Sequence, residues 1–162
     1  MEIRKTAIDD IDEVMKIYGY AREFMRKSGN PDQWGDNHPT REDIEQDIKT
    51  GKSYVLTDGK TIAAVFYYAI ETEPTYSKID GEWLNDKPYG IVHRIARGPN
   101  SAGAGEFCLN WCFENCGNLR IDTHKDNQPM LKQLKKLDFV LCGIVWMDDG
   151  SERLAFQKCL ES

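Results

Sequence analysis

No apolar run in this 162-residue chain approaches the roughly 18 residues that a membrane-spanning helix needs, so no helical membrane span is expected. Positive charge is also short. The 21 Lys and Arg against 27 Asp and Glu give a formal net charge of −6, which leaves no clustered surplus of cations to grip nucleic acid. The five cysteines are odd in number, and Cys108, Cys112 and Cys116 recur on one helical face, which is not a disulfide framework. They lack the paired C-x2-C spacing of a structural zinc site, so no metal is expected. Their expected role is as small buried thiols packing a helix against a sheet. Met1-Glu2-Ile3-Arg4-Lys5 has no apolar stretch of the secretory kind, pointing to a cytoplasmic protein. Internal repeats, low-complexity tracts and linkers are missing too, and the length suits one domain over residues 1–162.

What is present has the make-up of an ordinary globular protein, with 40% hydrophobic and 30% charged residues. Its acidic surface favours encounter with a cationic partner such as an amine. Ile3 lies in a short strand, and Thr6-x-x-Asp9 resembles a capping box opening a helix whose apolar positions run from Ile11 to Met25. Gly29-Asn30-Pro31 ends it, and Pro31 to Pro39 is an irregular loop carrying Trp34. Thr40-x-x-Asp43 opens a second helix, stopped by Gly51. Tyr54 to Thr57 and Thr61 to Ile70 form an antiparallel hairpin about Asp58-Gly59. A long polar and aromatic connection over Glu71 to Pro88 follows. The last third reads as a strand at Leu119 to Asp122, a helix from Asp126 to about Lys136, and two further strands joined by a turn at Asp149-Gly150.

Between these parts, Gly90 to Ala96 is a β-prone run followed by the turn formers Gly98-Pro99-Asn100-Ser101, and Gly103-Ala104-Gly105 opens a helix. The first turn of a helix presents N–H groups without intrahelical partners, and its dipole favours negative charge. Glycines let a bulky anion approach, so a phosphate-bearing cofactor is the expected guest; a plain strand-to-helix turn is the alternative. A dinucleotide fingerprint fits less well, because Cys108 stands where small residues are wanted and the opening βαβ context is missing.

Asn100-Ser101-Ala102-Gly103-Ala104-Gly105 resembles a degenerate form of the Gln/Arg-x-x-Gly-x-Gly/Ala signature of the GNAT acetyltransferase superfamily. Asp122 to Asn127, with Met130 to Gly143, resembles that superfamily's second block. Asn100 stands where Gln or Arg is usual, Asp138 replaces a customary Gly, and Leu134 occupies the position where many members carry a Tyr that protonates the departing thiolate of coenzyme A. The resemblance runs over nearly the whole chain. It implies an α/β (α+β) fold with a mixed, mostly antiparallel twisted sheet of about seven strands flanked by about four helices. It also implies acetyl-CoA as cofactor and N-acetyltransferase activity on a primary amine of a small molecule or peptide by direct attack. A non-catalytic acyl-CoA-binding module is the alternative.

In that setting Ile95, Ala96 and Arg97 are expected to pair with the pantetheine, and Ser101, Ala102, Gly103, Ala104 and Gly105 to hold the pyrophosphate. Asn127 is implied as a side-chain contact to the pantetheine arm. His93 is the favoured base, because an ordinary imidazole accepts a proton near neutrality, and a structural histidine under the loop is the alternative. If Ile95 faces the cofactor, strand alternation puts Tyr89, Ile91 and His93 on its side. His124 is a second base candidate, otherwise a loop residue beside an Asp126 cap. Glu71 and Glu73 are expected either to receive an amine or to be simply solvated. Trp34, Tyr76, Trp83 and Tyr89 are expected in an acceptor pocket; as large aromatics in polar loops they need a cover, which a homodimer partner would also supply.

Overall fold

The computed structural model describes residues 1–35 and 37–160; Asp36 of the expected loop and the last two positions of the expected 1–162 domain lie outside the described residues. The elements are β1 (Glu2–Lys5), α1 (Ile11–Lys27), α2 (Arg41–Lys49), β2 (Ser53–Asp58), β3 (Thr61–Ile70), β4 (Asp80–Gly81), β5 (Gly90–Arg97), α3 (Ala104–Cys116), β6 (Asn118–Thr123), α4 (Gln128–Lys136), β7 (Val140–Trp146) and β8 (Glu152–Cys159). The strands form one sheet in the order β1-β2-β3-β5-β6-β8-β7-β4, antiparallel except for the central β5/β6 pair. It has one strand more than expected. Asp80 and Gly81, in the long connection after β3, pair with Ile144 and Gly143 and so cover the β7 edge.

Local chemistry explains most boundaries. Thr40 and Asp43 make the expected reciprocal capping box at α2. At α1 the reciprocal partner is Asp10, whose carboxylate accepts from the Ala7 N–H; the Thr6 hydroxyl instead bonds Ser53 on β2 at 2.8 Å. The cap of α4 is Asn127 rather than Asp126, with Oδ1 accepting from the Met130 N–H.

The sheet is packed on both faces. Leu56, Ala64, Phe66 and Val92 meet α3 and α4 through Cys108, Leu109, Cys112 and Leu134. The other face is covered in two halves: α1 and α2 pack on Val55, Ile62, Val65 and Ala96, whereas Tyr76 from the long connection packs on Tyr67, Ile91, Val145 and Ala155. Cys108 and Cys112 are fully buried free thiols, and burial pushes Cys108 up to about 12. Half-buried Cys116 packs against the same core, as expected of this helix face. Among the described residues no helix is long and apolar enough to cross a membrane.

Candidate active site

β5 and β6 are paired only at Gly90 with Leu119 and Ile91 with Arg120. Beyond these positions the two parallel strands part, and a cleft of about 890 Å³ opens, walled by Val92, His93, Arg94 and Ile95 on one side and Ile121, Asp122, Thr123 and Asn127 on the other. The glycine loop follows directly from the C-terminal end of β5. It therefore lies at the end where the strands have separated.

A bulge shapes the β5 wall. Val65 pairs with Ala96 and Tyr67 with His93, so the single residue Phe66 stands opposite both Arg94 and Ile95. Arg94 takes φ 51°, unusual for a side-chain-bearing residue. Three groups hold it there: Asp47 of α2 accepts from both ends of the guanidinium at 2.7–3.1 Å, Tyr67 stacks beneath it at 5.0 Å, and the Tyr18 hydroxyl donates to its carbonyl at 2.8 Å. The extra residue reverses the alternation. Ile95 packs toward α3, whereas His93 faces Tyr67 and Tyr76 on the opposite side of the sheet, correcting the expectation that Tyr89, Ile91, His93 and Ile95 share a face.

His93, Ile95, Asn127 and Trp34 all line the cleft. Ala96 is buried beneath α1, and Arg97 projects outward with its guanidinium 5.8 Å from the Phe24 ring. In the glycine loop, the Ser101 hydroxyl donates to the Gly98 carbonyl, and Gly103 caps α3 at φ 82°. The first turn of α3 carries Glu106, whose charge is met by Lys136 at 2.9 Å.

Other candidates lie elsewhere. His124 is outside the cleft wall, with Nδ1 accepting from the Asp126 N–H at 3.1 Å. Tyr76, Trp83 and Tyr89 do not line the cleft either, because they are covered within the chain. Arg120 is sandwiched between Trp83 at 4.2 Å and Tyr89 at 4.0 Å, and Tyr76 is fully buried, its hydroxyl donating to Asp122 at 2.6 Å. The expected aromatic pocket is thus a packed cluster.

Several cleft residues went unnoticed in the sequence. Gln33, next to Trp34, reaches across the splay: its Oε1 accepts from Asn30, Thr123, the His124 N–H and Asn127 at 3.0–3.3 Å. Both amide hydrogens of Asn127 are thereby engaged, one by Gln33 and one by Thr123, and Oδ1 accepts from the Met130 N–H, so the second lone pair of that oxygen is what it has left to offer a ligand. Asp47 did leave a signal, a carboxylate between Ile44 and Ile48 on the inward stripe of α2.

Leu134 is fully buried against Cys108, Phe139 and Ile121 and does not line the cleft. Leu134→Tyr is accordingly expected to overpack this core, lowering stability by about 1–3 kcal/mol in urea unfolding without raising turnover. The tyrosine that does line the cleft is Tyr67, whose hydroxyl donates to Glu71 at 2.8 Å; burial and that carboxylate push its phenol up, making it a poor proton donor. Lys52 meets Glu71 at 2.6 Å; burial raises this carboxyl, but Lys52 and Tyr67 together hold it below its ordinary value.

A mixed sheet split at its one parallel pair, with a glycine loop at the open end, is the architecture of an acyl-CoA-handling acetyltransferase. A GNAT-family acetyltransferase structure from Streptococcus agalactiae is 33% identical to this chain, covering 99% of it and 96% of the other chain with a TM-score of 0.89. The chain belongs to the GNAT family of acetyltransferases. More distant structures share the fold. A ribosomal-protein-alanine N-acetyltransferase from Brucella melitensis is 16% identical, covering 99% of this chain and 100% of that one at TM-score 0.67. A protein from Salmonella typhimurium, solved with acetyl-CoA as its cofactor, is 10% identical, covering 99% and 94% at TM-score 0.66. No protein-family model matches the sequence, and no curated protein does.

Proposed function

We propose that residues 1–162 form one acetyl-CoA-dependent N-acetyltransferase domain that acetylates a primary amine of a small molecule or peptide by direct attack. The observation that carries this reading is the cleft between β5 and β6, with His93 on its wall and the glycine loop at its open end. The residues present fit the cofactor. A side chain added at Gly103 would meet nothing within 4 Å, leaving room for a pyrophosphate against the backbone of Ser101 to Gly105. Ile95 and Asn127 both line the cleft where the pantetheine would run. Bound acetyl-CoA supplies an activated thioester.

The acceptor side supports a cationic amine. Among the described residues, Asp32, Asp47, Glu73, Asp122, Asp148 and Asp149 line the cleft with only Lys52, Arg94 and Arg153 of opposite sign. Arg94 is taken up by Asp47 and Lys52 by Glu71. Such an amine must lose a proton to attack, and His93 is the group placed to accept it. The amine nitrogen would receive the acetyl group of bound acetyl-CoA, with the coenzyme thiolate as the leaving group. Buried Leu134 has no proton to give, so the leaving sulfur would take one from water or another side chain or depart as the anion, which a thiol of ordinary pKa near 8.5 permits.

Two measurements test this. In calorimetry, Gly105→Val should weaken coenzyme A binding about tenfold, ~1.4 kcal/mol, and leave the fold intact. Its added Cβ meets only the flexible end of Gln133, 2.9 Å away. Unchanged affinity would remove the cofactor from this loop. Release of free coenzyme A is then followed across a panel of amines and peptides. Tight binding without turnover on any of them would favour a non-catalytic acyl-CoA-binding module, the reading that buried Leu134 supports.

A further inference from the structure

We propose that Glu73 is a positioning residue for this reaction, acting through His93: it engages the Nε2 edge of the imidazole and so leaves Nδ1 as the nitrogen that accepts the acceptor's proton. This rests on the acetyltransferase reading above with His93 as base. The Glu73 carboxylate lies 3.7 Å from His93 Nε2, and both side chains are about four-fifths buried, at 20% and 22% exposure. Among the described residues no hydrogen bond engages His93 Nδ1.

Glu73 is itself fixed at two points. The Thr75 hydroxyl donates to its Oε1 at 2.9 Å, and its backbone N–H donates to the Tyr89 hydroxyl oxygen at 2.9 Å. Tyr89 in turn is stacked on Arg120, whose guanidinium donates to the Asn85 carbonyl at 2.7 Å. The polar loop after β3 thus delivers one carboxylate to the cleft on a rigid anchor. The imidazole is confined as well, with the Tyr67 ring 5.4 Å and the Tyr76 ring 6.3 Å away.

The other charged groups around His93 are occupied. From α2 comes Asp47, bound to Arg94 of β5. Lys52, just before β2, and Glu71, just after β3, are bound to each other, and from β6 comes Asp122, which accepts from Tyr76. Glu73 is the carboxylate left for the imidazole. In keeping with this, His93 holds the Glu73 carboxyl below its ordinary value against the opposing effect of burial. When His93 takes the proton from the amine, the imidazolium gains an adjacent anion that the low-dielectric wall screens less than water would. A neutral amide at position 73 would supply no such charge.

Glu73→Gln keeps the shape and removes the charge. We expect kcat to fall on the order of tenfold, less than the ~10²-fold of losing a base outright, with KM for acetyl-CoA within about twofold. The diagnostic readout is the acid limb of the kcat/KM profile. Without the carboxylate the protonated base is less favoured, so the limb should move to lower pH by about half a unit to one unit. Thr75→Val, which removes the hydroxyl that holds Glu73 Oε1, should move it the same way by less and guards against a fold defect in the first variant. In a His93→Gln background, Glu73→Gln should change nothing further. A raised KM for the amine with an unmoved acid limb would overturn the proposal, making Glu73 a direct contact to the acceptor, and wild-type kinetics in Glu73→Gln would also overturn it. If His93→Gln alone kept full activity and the wild-type pH profile, the failure would lie in the base assignment on which the proposal rests.

Discussion

Asp47→Ala is expected to lower stability by about 3 kcal/mol or more, the scale for breaking a buried ion pair from one side. The Asp47 side chain is 9% exposed and that of Arg94 21%, so the substitution strands a guanidinium that has little access to water. Burial pushes the Asp47 carboxyl up, outweighing the downward pull of Arg94; the charged pair is therefore tolerated by the fold more than it drives it. A discriminating comparison follows. Removing both charges with Asp47→Ala and Arg94→Gly should cost less than Asp47→Ala alone, because no ion is left unpaired and glycine accepts the left-handed backbone of Arg94 without the penalty of a side chain. Urea unfolding of the single and double variants decides it. A single variant within 1 kcal/mol of wild type, or a double variant worse than the single, would mean that the pair is solvated in solution.

This pair also marks where the sequence stops being readable. The strands, the four helices and the Thr40/Asp43 cap are legible because period and capping chemistry are local properties of the chain. The glycine loop is legible for the same reason, whereas the start of α4 is read one residue early, at Asp126 rather than Asn127. The bulge is not legible. Left-handed backbone is usually announced by glycine, and here an arginine adopts it because Asp47, Tyr67 and Tyr18, from three distant segments, together hold it there. Since one inserted residue inverts the alternation after it, Ile95 could not be assigned a face from spacing alone. The loop aromatics misled for a related reason. Trp83 and Tyr89 pack on Tyr76 of the same connection, and the remaining cover is Arg120, more than thirty residues away on β6. β4 was missed because two residues in a polar loop carry no period, and only the open β7 edge gives them a partner.

His93→Gln is expected to reduce turnover by ~10²-fold or more, the usual scale for losing a general base, while coenzyme A affinity stays nearly unchanged. The structure separates the two effects. His93 faces Tyr67 and Tyr76, whereas Ile95 packs toward the α3 side of the sheet, so the side chain can be changed without disturbing the loop at Gly103. Glutamine keeps polarity and approximate size but cannot take a proton near neutral pH. The variant should therefore lose the acid limb of its pH–rate profile along with its rate, and the residual reaction should rise steadily with pH as free amine accumulates. His124→Gln is the companion measurement. With Nδ1 of His124 tied to the Asp126 N–H and the ring outside the cleft wall, its loss should leave the limb in place. An acid limb that survives His93→Gln would transfer the proton to a carboxylate, and Asp122, held by the Tyr76 hydroxyl on the opposite wall, is the group that geometry would then put forward.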